Sequence, residues 1–393
     1  MTVSTADDIV LGGSYPSYTS VGSTVPVSLT WEKSTTYDVG LDLDFFNNRL
    51  SVSGDYYRRY TTDMYTPSIS LPSVYGTTSP KGNNAELRTT GWELSLTWRD
   101  SFKLGGKPFD YSIKAMVWDN RTVVTKYENA TRSLGTLKGY IQNGGSPSDF
   151  YEGMELGEMW GYTVAGLFRD QADIDSSATH DFTQASDKVT RPGQVKIADL
   201  DHNGNIDPGA FTADDHGDLS IIGNINPHYM FGVNLAANWN GIGLSVFLQG
   251  VMKRDWYPSP DSGYFWGKYA RPFMWVLGIH NYTDDMYSKE KNNWDTAYWP
   301  RMTTYQSNSS YSWTKLLEIP NTRYKQNAAY LRVKNIQVDY TFPKALCQKI
   351  RLGGLKIYLS GENLFTFTPL HKYAPNFDPE ALGYDTDFSS TAG

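Results

Sequence analysis

The sequence predicts an all-β fold: an antiparallel transmembrane β-barrel, of which this chain forms part of the wall. Three observations predict it. Apolar and polar residues alternate along many stretches, these stretches are joined in turn by short turns and long links, and aromatic residues make up 15% of the 393 residues. Alternation with a period of two gives a strand one apolar and one polar face. A membrane barrel needs both faces because lipid contacts one of them and the lumen wets the other.

The clearest predicted hairpin lies near the start of the chain. One face of its first strand carries Tyr37, Val39, Leu41, Leu43 and Phe45, and the other carries Asp38, Asp42 and Asp44. Asn47 and Asn48 offer a tight turn because asparagine tolerates positive φ. The apolar face then returns with Leu50, Val52, Gly54 and Tyr56. We assign the aspartate row to the water-filled lumen.

Three further hairpins follow the same pattern, with strands at 92–98 and 109–117, 231–239 and 244–248, and 336–342 and 355–359. The turns within them are short, apart from the connector after Pro343, whereas the links 61–86, 119–226 and 252–328 are long. Outer-membrane barrels have short turns at one rim and long extracellular loops at the other. Alternation by itself also fits a soluble β-sandwich, so a secreted glycan-binding sandwich is the alternative.

Composition narrows the class of protein. The formal net charge of −7 gives no basic footprint for nucleic acid. We find no run of about 18 apolar residues that would make a transmembrane helix, but a membrane strand needs only about 10 residues. The 28 Tyr and 12 Trp suit membrane–water boundaries. The single cysteine, Cys347, excludes an intrachain disulfide.

The most local chemical pattern is the run 199–207 (DLDHNGNID). Oxygen-bearing side chains recur at Asp199, Asp201, Asn203, Asn205 and Asp207. This is the spacing of a calcium loop, with Gly204 at the bend. The twelfth position, which usually supplies a bidentate acid, is Ala210, and Asp214, Asp215 or Asp218 are left to replace it. We predict a structural Ca²⁺ site here; the competing interpretation is a polar turn held by Asx hydrogen bonds.

A second predicted site is an aromatic region in the last long link. Its members are Tyr264, Trp266, Trp275, Trp294 and Trp299. Flat apolar rings stack on sugars, and a peptide ligand would use the same surface, so we predict a vestibule for a glycan or peptide. The competing interpretation is that these rings pack on each other within the loops.

Catalysis finds little support in the sequence. None of the six histidines stands in a zinc-ligand or triad pattern, and nothing fixes the separation of two carboxylates as a glycosidase requires. We therefore predict that the protein is not an enzyme.

Several segments together resemble the SusC/RagA family of TonB-linked outer-membrane transporters. They occur in the family's order and span nearly the whole chain: LTWEKSTTYDVGLD (29–42), FFNNRL (45–50), DYY (55–57), NNAELR (83–88), GWEL (91–94), GNINPHY (223–229), FLQG (247–250), YLRVKNI (330–336), NLFT (363–366) and FDPE (377–380). Each is weak alone, but the ordered set is specific.

The resemblance implies import of a glycan, oligosaccharide or oligopeptide across the outer membrane of a Gram-negative bacterium. It also implies a SusD-like surface lipoprotein as partner, TonB–ExbB–ExbD as the source of energy, and an ion of the calcium type at 199–207. On this interpretation residues 1–393 are the C-terminal part of a TonB-dependent receptor barrel, without the N-terminal plug domain and the final strand. About nine strands of roughly 22 would then be present.

Overall fold

The computed structural model describes residues 2–5, 17–20, 29–67, 81–134, 150–180, 190–258, 265, 285–301 and 320–382. The strands that precede the second long link are β1 (Thr2–Thr5), β2 (Ser17–Ser20), β3 (Lys33–Phe45), β4 (Leu50–Pro67), β5 (Lys81–Leu104) and β6 (Lys107–Lys126). The second long link holds β7 (Glu158–Tyr162), β8 (Val164–Leu167), β9 (Val195–Ile197) and β10 (Leu219–Asn224). The remaining strands are β11 (His228–Trp239), β12 (Ile242–Lys253), β13 (Asp255–Trp256), β14 (Gln326–Asn327), β15 (Tyr330–Thr341) and β16 (Lys356–Phe367).

The helices whose bounds lie within the described ranges are short. They are α1 (Gln171–Asp175), α2 (Lys344–Lys349) and a 3-10 helix (Pro369–Lys372). In the described ranges, no helix is both long and apolar enough to cross a membrane.

One antiparallel sheet of eight strands dominates the structure, in the order β16-β15-β12-β11-β6-β5-β4-β3. Each strand pairs with a strand adjacent to it in the chain or in the next hairpin, so the sheet is a meander of the four predicted hairpins. β3 and β16 form its two edges, so the sheet is open and forms part of a barrel wall. The all-β prediction is confirmed, with eight strands in this sheet.

Two turns of the sheet are two-residue loops with positive φ at both positions. Gly105 and Gly106 have φ of 59° and 77°, and Asn240 and Gly241 have φ of 48° and 88°. Type I′ turns require this conformation and match the twist of the flanking strands. The longer connector after Pro343 contains α2, which buries Cys347.

The apolar face of the sheet is uncovered. Val39 in β3 is 74% exposed and Leu359 in β16 is 79% exposed. A soluble sandwich would cover such residues with a second sheet of similar size, but the other sheets in the described residues have two strands each. The sandwich alternative is therefore wrong, and the exposed residues form the lipid-facing side of the wall.

Close packing inside the sheet depends on two glycines. The ring of Tyr57 lies over Gly91 on the neighbouring strand, and the ring of Phe231 lies over Gly250. A Cβ atom at either glycine would overlap the ring. Each ring fills the gap that the glycine leaves, as in the aromatic rescue of glycine in designed sheets.

The first link between hairpins is shorter than predicted. Pairing continues to Pro67 in β4 and from Lys81 in β5, so these strands have 18 and 24 residues. A strand of that length exceeds the thickness of a bilayer. The ladder therefore continues beyond the membrane at the rim with the long links.

The longer links, together with the segment after β16, form a packed region at that rim, which we call the loop lobe: described residues 127–134, 150–180, 190–227, 254–258, 265, 285–301, 320–329 and 368–382. β7 pairs with β10, β8 with β9, and β13 with β14. Its centre is a cluster of buried aromatic and aliphatic side chains that includes Tyr162, Leu219, Phe265, Trp299 and Tyr324. Residues from two long links therefore share one hydrophobic core, to which Leu370 and Phe377 of the segment after β16 also belong.

The segment after β16 fastens the lobe to the wall. Tyr373 stacks on Tyr298 with ring centroids 3.6 Å apart. Arg332 of β15, which is 7% exposed, forms ion pairs with Asp378 and Glu380 of the FDPE motif. A buried arginine paired with two carboxylates holds this segment against the sheet.

Candidate ion site and the loop lobe

The acidic run 199–207 lies in the loop lobe after β9. His202 and Gly204 have φ of 60° and 85°, which bends the chain sharply. The backbone of Thr179 binds both ends of the bend. Its N–H donates to the carbonyl of Gly204 (2.9 Å), and its carbonyl accepts from the N–H of Ile206 (2.9 Å). The loop is therefore tied to a neighbouring segment.

Three carboxylates meet at this bend. Asp199, Asp201 and Asp218 each offer one oxygen, and these oxygens lie within 4.8 Å of one another. Asp218 is fully buried and accepts hydrogen bonds from the N–H groups of Leu200 (2.6 Å) and Asp207 (2.9 Å). Oδ1 of Asp199 is buried and has no hydrogen-bond partner. Hard oxygen donors of this kind suit a calcium ion, and an unpaired buried acceptor carries a desolvation penalty that a cation would remove.

The predicted ligand set is brought together only in part. Asn203 uses its Oδ1 to accept from the N–H of Asn205 (2.7 Å) and donates from Nδ2 to Asp201 (3.0 Å). Asp207 accepts from the N–H of Gly209 (2.8 Å). These residues thus make the Asx hydrogen bonds of the competing interpretation. Asp201 and Asp199 also accept such bonds, from the N–H groups of Asn203 (3.0 Å) and Gly204 (3.0 Å), and both in addition face Asp218.

Of the three acids that the sequence left open, Asp218 completes the cluster. Asp214 pairs instead with Arg132. The chain returns to the bend because the backbones of Gly209 and Gly217 approach closely and the N–H of Asp218 donates to the carbonyl of Asp207 (2.9 Å). Glycine is needed at both positions, since a Cβ on Gly209 would overlap Asp215 and the backbone of Gly217, and a Cβ on Gly217 would overlap Asp207 and the backbone of Gly209.

The predicted aromatic vestibule is visible only in part. Tyr264, Trp266 and Trp275 lie outside the described residues. Trp294 is half-buried against the core of the lobe. Trp299 is 0% exposed, with Phe265 edge-on at 5.5 Å and Tyr324 stacked at 5.7 Å. Its ring lies in the apolar centre where the segments of the lobe converge, so it presents no open face to a ligand.

Two buried polar groups of the lobe were not predicted. Glu158 accepts from the hydroxyl of Tyr151 and from Nε1 of Trp160 (3.0 Å), and burial raises the pKa of this carboxyl. His180 lies between the carbonyl of Ala178 (2.8 Å) and the N–H of Ile197 (2.8 Å), and burial lowers its pKa. Neither residue stands in a recognised sequence motif. The partners of Glu158 lie seven and two residues away in the chain, whereas Ile197, which donates to His180, lies 17 residues away in β9.

A family model for the TonB dependent receptor-like β-barrel matches residues 6–364. The chain belongs to this TonB-dependent receptor family. The resemblance to SusC/RagA transporters is thereby confirmed, and the sheet is part of the wall of an outer-membrane barrel.

Relatives agree with this assignment. The TonB-dependent receptor P3 of Formosa agariphila is 27% identical over 360 residues, which cover 90% of this chain and 31% of that protein. The TonB-dependent receptor SusC of Bacteroides thetaiotaomicron is 28% identical over 186 residues, or 46% of this chain and 16% of SusC. The solved RagAB peptide transporter matches the fold with a TM-score of 0.64 at 20% identity, over 97% of this chain and 36% of that one. The chain thus spans about a third of the relatives that it matches along most of its length.

The polar face of the barrel wall is acidic at the β3 edge. Asp38, Asp42 and Asp44 lie on it as predicted, opposite the exposed apolar row of the same strand. Asp44 accepts from the hydroxyl of Ser51 (2.6 Å), and Asp55 lies over Gly40. In a receptor barrel this face lines the lumen.

Proposed function

We propose that the receptor of which this chain is a part imports an oligomeric nutrient across the outer membrane, with energy delivered by TonB. The observation that carries the proposal is the joining of a barrel wall, polar on its lumen side, to a folded loop lobe at one rim. A fixed lobe at that rim provides a surface that recognises cargo before it enters the lumen. We assign to this chain the barrel wall and the loop lobe, and not the regions of the receptor that change conformation during import.

The cargo in this proposal is an oligopeptide or an oligosaccharide. The RagAB structure is that of a peptide transporter, but likeness at 20% identity supports the fold alone, so the proposal keeps both cargo classes. Uptake of labelled oligopeptides and oligosaccharides by cells with and without the gene tests the proposal directly. We expect either the oligopeptides or the oligosaccharides to enter only cells that have both the receptor and TonB. Entry of both cargo classes without the receptor and without TonB would contradict import by this receptor.

From the resemblance we propose two sets of partners, a surface lipoprotein and the TonB complex. A SusD-like surface lipoprotein would cap the barrel above the lobe, and TonB–ExbB–ExbD would act through a region outside this chain. Purification of the full-length receptor from native membranes tests this, and we expect such a lipoprotein to be retained. The relatives are receptors, and we propose no catalytic role for any residue of the chain.

We also propose that Asp199, Asp201 and Asp218 bind Ca²⁺ and so make the loop lobe rigid. The buried, unpaired Oδ1 of Asp199 supports this most strongly. Calorimetry with Ca²⁺ on the full-length receptor should show binding that Asp201→Ala abolishes, whereas Asp214→Ala, which removes a carboxylate outside the cluster, should bind as the wild type does. Equal traces for wild type and Asp201→Ala would reject the ion and favour the simple polar turn.

A further inference from the structure

Three arginines lie together on the lipid-facing side of strands β4, β5 and β6. Arg58 is directly opposite Thr90, and Thr90 is directly opposite Arg121. Residues directly opposite one another share a face of the sheet, and Arg58 is also opposite Tyr37, which is 66% exposed in the apolar row. Arg58 and Arg121 therefore lie on the outer face, two strand spacings or about 10 Å apart.

Arg88 completes the group. It is two residues from Thr90 along β5 and so lies on the same face, directly opposite Tyr60. Its backbone is within about 8 Å of each of the other two arginines by the diagonal spacing of a sheet. The hydroxyls of Thr89 and Thr122, 2.8 Å apart, mark the opposite face at this level. We call Arg58, Arg88 and Arg121 the arginine triad.

The triad has no carboxylate partner within the described part of the chain. All three arginines are exposed. Asp119, two residues from Arg121, is 5% exposed and is bound to His228 at 2.7 Å. Glu86 is paired with Lys126 at 3.6 Å. The nearby acids are therefore engaged elsewhere, and three positive charges face outward without compensation.

The triad lies at the upper edge of the apolar band, on the side of the long links. Along β5 the band extends from Phe102 to Trp92, or about 25 Å of depth for a tilted strand. Arg88 lies four residues beyond Trp92. Tyr56 is opposite Trp92 and accepts a hydrogen bond from Arg58 (3.3 Å). Tyrosine and tryptophan mark the level of the headgroups, so the guanidinium groups lie where lipid phosphates are found.

We propose that the arginine triad binds the phosphate groups of a phosphorylated lipid in the outer leaflet. A guanidinium group forms paired hydrogen bonds with phosphate oxygens, and an uncompensated charge beside hydrocarbon is unfavourable. An anionic headgroup supplies the missing charge while its acyl chains cover the apolar band below. This site is distinct from nutrient import: it would fix the depth and rotation of this part of the wall in the membrane.

The test compares the full-length receptor with a variant carrying Arg58→Gln, Arg88→Gln and Arg121→Gln. Both are placed in nanodiscs of phosphatidylcholine with either a bisphosphorylated lipid A or the same lipid without phosphates, and bound lipid is counted by native mass spectrometry. We expect the wild type to retain the phosphorylated lipid only, and the triple variant to lose on the order of a hundredfold in affinity, since each basic residue near a lipid surface contributes about fivefold.

A matched control removes three cations from the other rim, with Arg99→Gln, Lys103→Gln and Lys107→Gln, and should retain lipid as the wild type does. Equal retention by wild type and triple variant would overturn the proposal. Equal binding of the lipid without phosphates would also overturn it. Displacement of a bound anion by inorganic phosphate, with no lipid retained, would indicate a site for a free anion and would overturn the proposal as well. If the triple variant fails to fold, Arg88→Gln alone should still show about a fivefold loss.

Discussion

The sheet and the loop lobe differ in where they place their large apolar side chains. On the outer face of the sheet, Val39 and Leu359 are 74% and 79% exposed, whereas Trp299 and Tyr324 in the lobe are 0% exposed. The lobe has the interior of a water-soluble domain. The sheet has its apolar residues on the outside because lipid, not protein, covers them. One part of the chain is therefore surrounded by lipid and the other by water, and the two parts meet where the strands leave the membrane.

The largest expected effect comes from breaking the core of the lobe. Trp299→Ala should reduce the stability of the lobe by about 3–5 kcal/mol, because it removes a fully buried ring. Limited proteolysis of the full-length receptor should then cut within the links while the barrel stays resistant. Trp31→Ala is the matched control: this ring is 89% exposed, and its loss should change the cleavage pattern little. Equal sensitivity in the two variants would contradict a separate core.

The next effect concerns the lipid-facing side. Leu96→Arg should reduce the stability of the barrel in lipid vesicles by about 2–4 kcal/mol, as a cation near the middle of the apolar band does. Leu96 is 41% exposed in β5 and lies on the apolar face between Trp92 and Phe102. Ser95→Arg places the same charge one residue away on the lumen face and should be tolerated. Folding measured by heat-dependent gel mobility compares the two; a reversed order would assign the faces the other way.

A smaller effect is expected within the sheet itself. Gly91→Ala should destabilise the barrel by about 1–3 kcal/mol, because the new methyl group overlaps the ring of Tyr57. Gly54→Ala is the control on the neighbouring strand, where the nearest atoms lie 3.9 Å from the added Cβ. Denaturant unfolding in detergent should separate the two variants. If Gly91→Ala were as stable as Gly54→Ala, the ring would not be held over the glycine.

The smallest effect is a pH dependence confined to the lobe. Burial and the nearby Lys196 lower the pKa of His180 in the folded state from its ordinary value of 6.5. The stability that this neutral imidazole contributes is fully present above pH 6.5. It is lost as the pH falls from there through the folded pKa, because the unfolded lobe takes up the proton first. Protection of the lobe amides from hydrogen exchange, corrected for the intrinsic exchange rate at each pH, should therefore fall on acidification to about pH 5.5.

A His180→Gln variant tests this assignment. The amide can replace both hydrogen bonds of the imidazole but does not titrate, so the corrected protection in the variant should change less over the same pH range. The same loss of protection in both proteins would show that another group is responsible.

Sequence periodicity predicted the sheet far better than the lobe. The hairpin at Asn240 and Gly241 and the alternation around Val39 depend on neighbours in the chain, so the strands, their faces and two of the tight turns could be predicted. Asp218 joins Asp199 only because Gly209 and Gly217 let two distant backbones approach. Such contacts between distant segments leave no local pattern.

The same reason explains the prediction for Trp299. An aromatic residue in a long loop fits a ligand surface and a buried core equally well until the partners of its ring are known. Phe265 and Tyr324, which surround it, come from different parts of the chain. The sequence therefore identified the ring but not its environment.

Lipid contact along a central strand tests the account most directly. In the full-length receptor, with Cys347 and any other cysteine replaced, single cysteines at positions 231–238 of β11 would be labelled in vesicles with a membrane-dissolved reagent and with a water-soluble one. We predict alternation with a period of two: Phe231, Val233, Leu235 and Ala237 react from the lipid, and the positions between them react from water. Uniform labelling from water along the strand would contradict the membrane wall on which the account rests.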